Sequence, residues 1–227
     1  MNKIKKNRYY GPLIQYKVEL DYLKIVSWIN IFLSFFVYMV SYFNDLSGYY
    51  KMITKFLLIT VIIIFFYSFL NKIINKHKKV SYIVLSLNFY ILMLNFCFLG
   101  LIFFLGANED LMHQLYSKKS VIYIIIMLIS SLISKIIFLW YYLPKNQGKQ
   151  WSFNQSKSGE TKSKKNQYRT NFLIMFGVSM IVPAMLTGNI ENIFGIIVGL
   201  LFSLVIPSLI VDSLYAAYYV HKHPDYE

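Results

Sequence analysis

Two ionisable residues, Lys135 and Asp212, interrupt long apolar runs of the sequence. A charge inside a bilayer is costly, and residues that carry one there are usually paired or functional. Each lies about eight residues from the end of its run, so a helical rise of about 1.5 Å per residue places both about 12 Å deep. If both runs end on the same side of the membrane, the two charges lie at one depth. We therefore predict an ion pair between the two helices.

Two alternatives to this pair remain open. A lysine can extend its ammonium group along its own stem to the interface, although an aspartate is too short to do so. A proton relay is the other alternative, because membrane pumps use intramembrane aspartates. One acid and one base are few groups for a relay.

Uncharged polar residues recur at helical spacing in two other apolar runs. They are Ser27, Asn30, Ser34 and Ser41 in the first run and Ser81, Asn88 and Asn95 in the third. Amide and hydroxyl groups in lipid seek partners on neighbouring helices. We interpret both sets as helix-packing residues; a path for a polar substrate is the alternative.

Small residues recur every fourth position in the last apolar run, at Gly195, Gly199 and Ser203. This spacing permits close approach of a second helix backbone, either within the chain or from another protein. The pattern is common in membrane helices, so it does not by itself indicate a dimer.

No motif of an enzyme is present. The sequence lacks a phosphate-binding P-loop, a Gly-rich dinucleotide turn, H-E-x-x-H and G-x-S-x-G. His221, His223 and Asp225 could bind a metal, but short tails of this kind are usually solvated. We predict a protein that is not an enzyme and has no cofactor and no metal site.

Composition identifies the class of protein. Of the 227 residues, 57% are hydrophobic and 15% are charged, whereas about a quarter of an average soluble domain is charged. Because about 20 apolar residues cross a bilayer as a helix, we predict an all-α integral membrane bundle of about six transmembrane helices. The predicted spans lie near 25–43, 53–71, 82–105, 121–143, 171–187 and 193–219.

The distribution of Lys and Arg predicts the orientation. Eighteen of the 23 basic residues fall on one side of these spans and four on the other, with Lys135 inside a span. Cytoplasmic loops are enriched in Lys and Arg, so we expect both chain ends in the cytoplasm. The net charge of +13 then reflects topology, and we expect no nucleic-acid partner.

The chain divides into five predicted parts. They are a cytoplasmic N-terminal tail with an interfacial or extended segment (1–24), a four-helix membrane part (25–143), a flexible basic cytoplasmic loop (144–170), a two-helix hairpin (171–220) and a cytoplasmic tail (221–227). The loop is rich in Gln, Ser, Lys, Gly and Asn, which cannot bury enough apolar surface to fold alone.

In size, topology and composition, the chain is similar to small polytopic membrane proteins encoded beside type VII-secreted toxins of low-GC Gram-positive bacteria. The scarcity of Arg and the abundance of Ile, Asn, Phe and Tyr agree with an AT-rich genome. The resemblance implies an immunity protein of the bacterial cytoplasmic membrane. Its partner would be a toxin or a second small membrane protein, with Asn88, Asn95 and Gly199 as candidate contact positions.

A structural or assembly subunit of a larger membrane machine is one alternative function, and a permease-like subunit of an ATP-driven exporter is another. Such permease-like subunits have six spans and an element before the first one, a part that 13–23 could play. They usually have an extended connection before the last helix, and here that connection is short. A separate ATPase would be required.

Overall fold

The computed structural model describes residues 20–43, 48–106, 115–141 and 190–222. This part of the chain is helical. Its helices are α1 (Tyr22–Phe43), α2 (Tyr49–Ser68), α3 (Asn71–Lys76), α4 (Lys78–Leu105), α5 (Lys118–Tyr141) and α6 (Ile190–Lys222). Of these, all but the short α3 are long and apolar enough to cross a membrane. The predicted all-α membrane bundle is therefore confirmed.

Five predicted spans correspond to α1, α2, α4, α5 and α6 within a few residues at each end. The predicted span at 171–187 and the predicted loop at 144–170 lie outside the described residues. Gly106 ends α4 with φ 80°, and its N–H reaches the carbonyls of Ile102 and Phe103. Glycine is the residue that adopts this backbone conformation most readily, which is why it commonly terminates helices.

Helix α4 is the central helix, because it packs against α1, α2, α5 and α6. It runs parallel to α1, since Asn30 meets Asn88 and, further along both helices, Ser34 meets Asn95. It runs antiparallel to α6, because the Asn192 amide donates to the carbonyl of Phe104 and the Ser86 hydroxyl donates to that of Ile210. Helix α6, predicted to form a hairpin with 171–187, therefore belongs to the same bundle as the first four spans.

Helices α5 and α6 run in the same direction. Tyr123, near the start of α5, contacts Gly195 near the start of α6, and Ser134 further along α5 donates to the carbonyl of Leu204. The end of α5 and the start of α6 thus lie at opposite ends of the bundle. The predicted span at 171–187 falls between them in the sequence, outside the described residues.

The outward faces of the long helices are apolar. Phe32 on α1, Phe66 on α2 and Ile136 on α5 each expose about two thirds of their surface. Apolar exposure on every long helix exceeds what a soluble monomer tolerates. These faces are suited to contact with the lipid bilayer, whereas most serines, asparagines and glycines of the long helices are buried.

Candidate functional site

Helices α1 and α4 are joined by a network of buried side chains. The Asn30 amide donates to the backbone carbonyl of Asn88 at 2.7 Å and to its side-chain oxygen at 2.6 Å. The Asn88 amide donates to the hydroxyl of Ser27 at 2.9 Å. The Asn95 amide donates to the hydroxyl of Ser34 at 2.7 Å and to the side-chain oxygen of Asn30 at 3.3 Å. We call these five residues the asparagine network.

The asparagine network explains the spacing seen in the sequence. Asn88 and Asn95 are two turns apart on α4, so both face α1, and all five side chains are buried. Buried polar groups that find partners across a helix interface specify one register, because a slip would leave them unsatisfied. The network therefore fixes the alignment of α1 against α4. The network consists of amides and hydroxyls and contains no acidic or basic side chain.

Two other members of the predicted polar sets lie apart from the network. Ser81 is buried and its hydroxyl lies 2.8 Å from the Tyr67 hydroxyl of α2, with the carbonyl of Ile74 at 3.2 Å. It thus ties α4 to α2 and α3. Ser41 is buried near the far end of α1, and its hydroxyl makes no hydrogen bond within the described part of the chain.

A second assembly lies where α4 crosses α6. Gly100 of α4 faces Gly195 and Gly199 of α6 so closely that a Cβ on Gly100 would lie 2.7 Å from the Gly195 carbonyl oxygen. The Tyr123 hydroxyl of α5 enters this crossing and donates to the carbonyls of Cys97 at 3.2 Å and Gly195 at 3.3 Å. We call these residues the glycine crossing.

The glycine crossing shows which helices are contacted by the three small residues of α6, Gly195, Gly199 and Ser203, which we call the small-residue ridge. Gly195, Gly199 and Ser203 are buried, and the Ser203 hydroxyl bonds the carbonyl of Leu200 on its own helix at 3.0 Å. The ridge packs inside the chain against α4 and α5. Sequence reasoning missed Gly100 and Tyr123, because neither has a periodic companion in its run. A contact of Asn88, Asn95, Gly195, Gly199 or Ser203 with another protein stays a prediction.

The two intramembrane charges lie on α5 and α6. The Lys135 ammonium lies 5.1 Å from the centre of the Tyr90 ring of α4, a cation–π distance. Asp212 is buried in α6, beside the buried Ser208 and Ser213. The ion pair between Lys135 and Asp212 stays a prediction, and the ring is one neighbour that stabilises the ammonium.

In the part of the chain that the structure describes, no three His, Cys, Asp or Glu side chains come together as metal ligands would. His223 and Asp225 of the candidate tail site lie outside that part. The groups that converge are amides, hydroxyls and backbone carbonyls, which hold helices together.

No protein-family model, curated protein or solved structure matches this chain. The predicted resemblance to small membrane proteins encoded beside secreted toxins thus stays a prediction from the hydropathy profile and composition.

Proposed function

We propose that this protein acts by protein–protein contact within the bacterial cytoplasmic membrane, as an immunity protein against a membrane-active toxin of a type VII secretion system. The observation that most supports this proposal concerns the hydrogen-bond partners of the buried polar side chains. In the asparagine network and the glycine crossing they bind the chain's own helices, which favours a scaffold over a catalyst or a polar conduit.

A scaffold of this kind acts through its outer faces. The face of α1 is aromatic, with Phe32, Phe35 and Phe36 each more than half exposed near the middle of the span. Trp28 lies beside them, stacked on Phe32 and edge-on to Phe65 of α2. Aromatic side chains offer large contact areas and specific ring geometry. They suit a partner helix that enters the same membrane.

The outward face of α5 provides a contrast within the same molecule. It carries aliphatic side chains such as Ile129 and Ile133, which are about half exposed. Aliphatic surface packs with lipid tails about as well as with protein, so it gives a second helix little reason to prefer it. We therefore place the partner on α1 and keep α5 as the matched control face.

The test is site-specific photocrosslinking in the native membrane. A photoreactive amino acid replaces Phe36 in one variant and Ile129 in the other, and mass spectrometry identifies the crosslinked proteins. We expect a secreted toxin or a second small membrane protein to be captured from Phe36 and not from Ile129. Capture of an ATPase would instead support the exporter subunit, and capture of the same proteins from both positions would contradict a specific face.

A protection assay tests the immunity role itself. Cells that lack this protein should depolarise when they are exposed to the captured toxin, and cells that express it should keep their membrane potential. Expression of a variant with Phe32, Phe35 and Phe36 changed to Leu should protect poorly, whereas Ile129→Leu should protect fully. Equal sensitivity of cells with and without the protein would refute the role.

A further inference from the structure

Most of the lysines in the described part of the chain lie at one end of the bundle. It is the end at which α1 and α4 begin and α2, α5 and α6 finish. The lysines there are Lys24, Lys72, Lys76, Lys78, Lys79 and Lys222. Among the described residues near this end, Asp21 is the acidic residue outside the spans. The surface is therefore strongly positive, and its charge is not neutralised by neighbours in this part of the chain.

The short helix α3 lies within this surface and holds two of its lysines outward, so we call it the platform. Ile74 is buried in the same apolar cluster as Leu23 of α1. Helical geometry of about 100° per residue places Lys72 and Lys76 about 160° from Ile74, on the opposite side of α3. Both lysines are exposed. The burial of Ile74 therefore turns two lysines outward together.

Hydrogen bonds hold this platform in place. Ser81 on α4 bonds the Tyr67 hydroxyl of α2, and its hydroxyl also reaches the carbonyls of Ile74 and His77. One buried hydroxyl thus joins the end of α2, the middle of α3 and the start of α4. A fixed backbone lowers the conformational entropy that a ligand must overcome when it binds these lysines.

Apolar side chains lie beside the lysines. Phe69, Leu70 and Ile73 precede or belong to α3 and are each about half exposed. A segment that combines exposed apolar side chains with lysines fits the boundary between headgroups and acyl chains. In that position the apolar groups enter the hydrocarbon, and the ammonium groups reach the phosphate level.

We propose that α3 and the start of α4 bind the headgroup of an anionic phospholipid, such as phosphatidylglycerol, through Lys72, Lys76, Lys78 and Lys79. Clusters of basic residues beside a membrane helix attract anionic lipids, and each Lys strengthens the attraction about five-fold. Lysine suits a phosphate as a compact point charge with three donors. The apolar side chains contact the acyl chains of the same lipid.

The test titrates the full-length purified protein in neutral detergent with dioctanoyl phosphatidylglycerol or dioctanoyl phosphatidylcholine and follows the thermal unfolding temperature. The test variant is K72Q/K76Q/K78Q/K79Q. The matched control is K51Q/K55Q/K118Q/K119Q, which removes four exposed lysines from the opposite end of the bundle. A third variant with Arg at positions 72, 76, 78 and 79 keeps the charge.

We expect phosphatidylglycerol to raise the unfolding temperature of the wild type at concentrations at least ten-fold below those of phosphatidylcholine. The control and the Arg variant keep this preference, and the test variant loses it. High salt weakens it in the wild type, because the contact is electrostatic. The proposal is overturned if the wild type shows no preference or if both Gln variants lose it equally. If the test variant does not fold, the Arg variant decides: the proposal is overturned if that variant shows no preference for phosphatidylglycerol.

Discussion

The glycine crossing predicts that one methyl group, added by Gly195→Ala, weakens the bundle. In a free helix, Ala is more favourable than Gly by about 0.5–1 kcal/mol. At position 195 the new Cβ would meet the backbone of Phe104 and the carbonyl oxygen of Gly100. Backbone atoms of a packed helix cannot rotate away, so α4 and α6 must separate.

The size of the effect follows from two opposing terms. Overpacking of a tight interface costs about 1–3 kcal/mol, and the backbone contact places Gly195 toward the upper end. After subtraction of the propensity gain, we expect a net loss of about 2 kcal/mol in the free energy of unfolding. Gly199→Ala should cost less, because its Cβ would meet the Tyr123 side chain and lie 2.9 Å from the Met127 sulfur, and side chains can rotate.

The assay is reversible unfolding by SDS in mixed micelles, followed by tryptophan fluorescence. Leu201→Ala is the control, because Leu201 is half exposed on the outward face of α6 and its truncation removes no interhelical contact at the crossing. Lipid-facing changes of this kind should shift stability by about 0.5 kcal/mol or less. A Gly195→Ala protein as stable as the wild type would refute the close approach of α4 and α6.

Three further predictions concern other parts of the chain. Asn30→Ala removes three hydrogen bonds of the asparagine network, and at about 0.6 kcal/mol each SDS unfolding should detect a loss of about 2 kcal/mol; an unchanged midpoint would contradict the network. An engineered cysteine at Asn108 should react with an impermeant thiol reagent outside the cell and one at Ser158 should not; the reverse labelling would invert the orientation. Lys135→Ala and Asp212→Ala should each lower the folded yield, and the exchange of the two residues should restore part of it; full yield from both single variants would exclude the ion pair.

Sequence reasoning located the five spans that lie among the described residues to within a few residues, because hydrocarbon thickness sets a minimum length for a membrane helix. It missed α3 because no Gly or Pro marks the end of α2. The apolar run continues through Phe69 and Leu70, and the helix breaks there because Ile74 reaches the core. Such a break depends on tertiary packing, which periodicity does not record.

The buried contacts between helices were likewise only partly predictable from the sequence. The polar faces of α1 and α4 were both visible as spacings, and Asn88 and Asn95 do face Asn30. Which faces meet is decided by how the helices cross, so the sequence did not indicate that Ser81 would turn to α2 while its two companions turn to α1. Likewise, Tyr123 enters the glycine crossing from a third helix, and no spacing within one run can predict that.

These interior contacts limit the ways in which the protein can recognise a partner. A membrane helix that binds through polar groups needs them on its surface, and here the asparagines of α1 and α4 are buried against each other. If the protein acts by contact in the membrane, as proposed, the described helices offer a partner the shape of an apolar face or the charge at the bundle ends. The aromatic face of α1 and the lysines around α3 supply one of each, and Leu23 of α1 and Ile74 of α3 belong to one apolar cluster. If a toxin enters beside α1 and the lysines around α3 hold an anionic lipid, as proposed, replacement of these lysines should weaken protection.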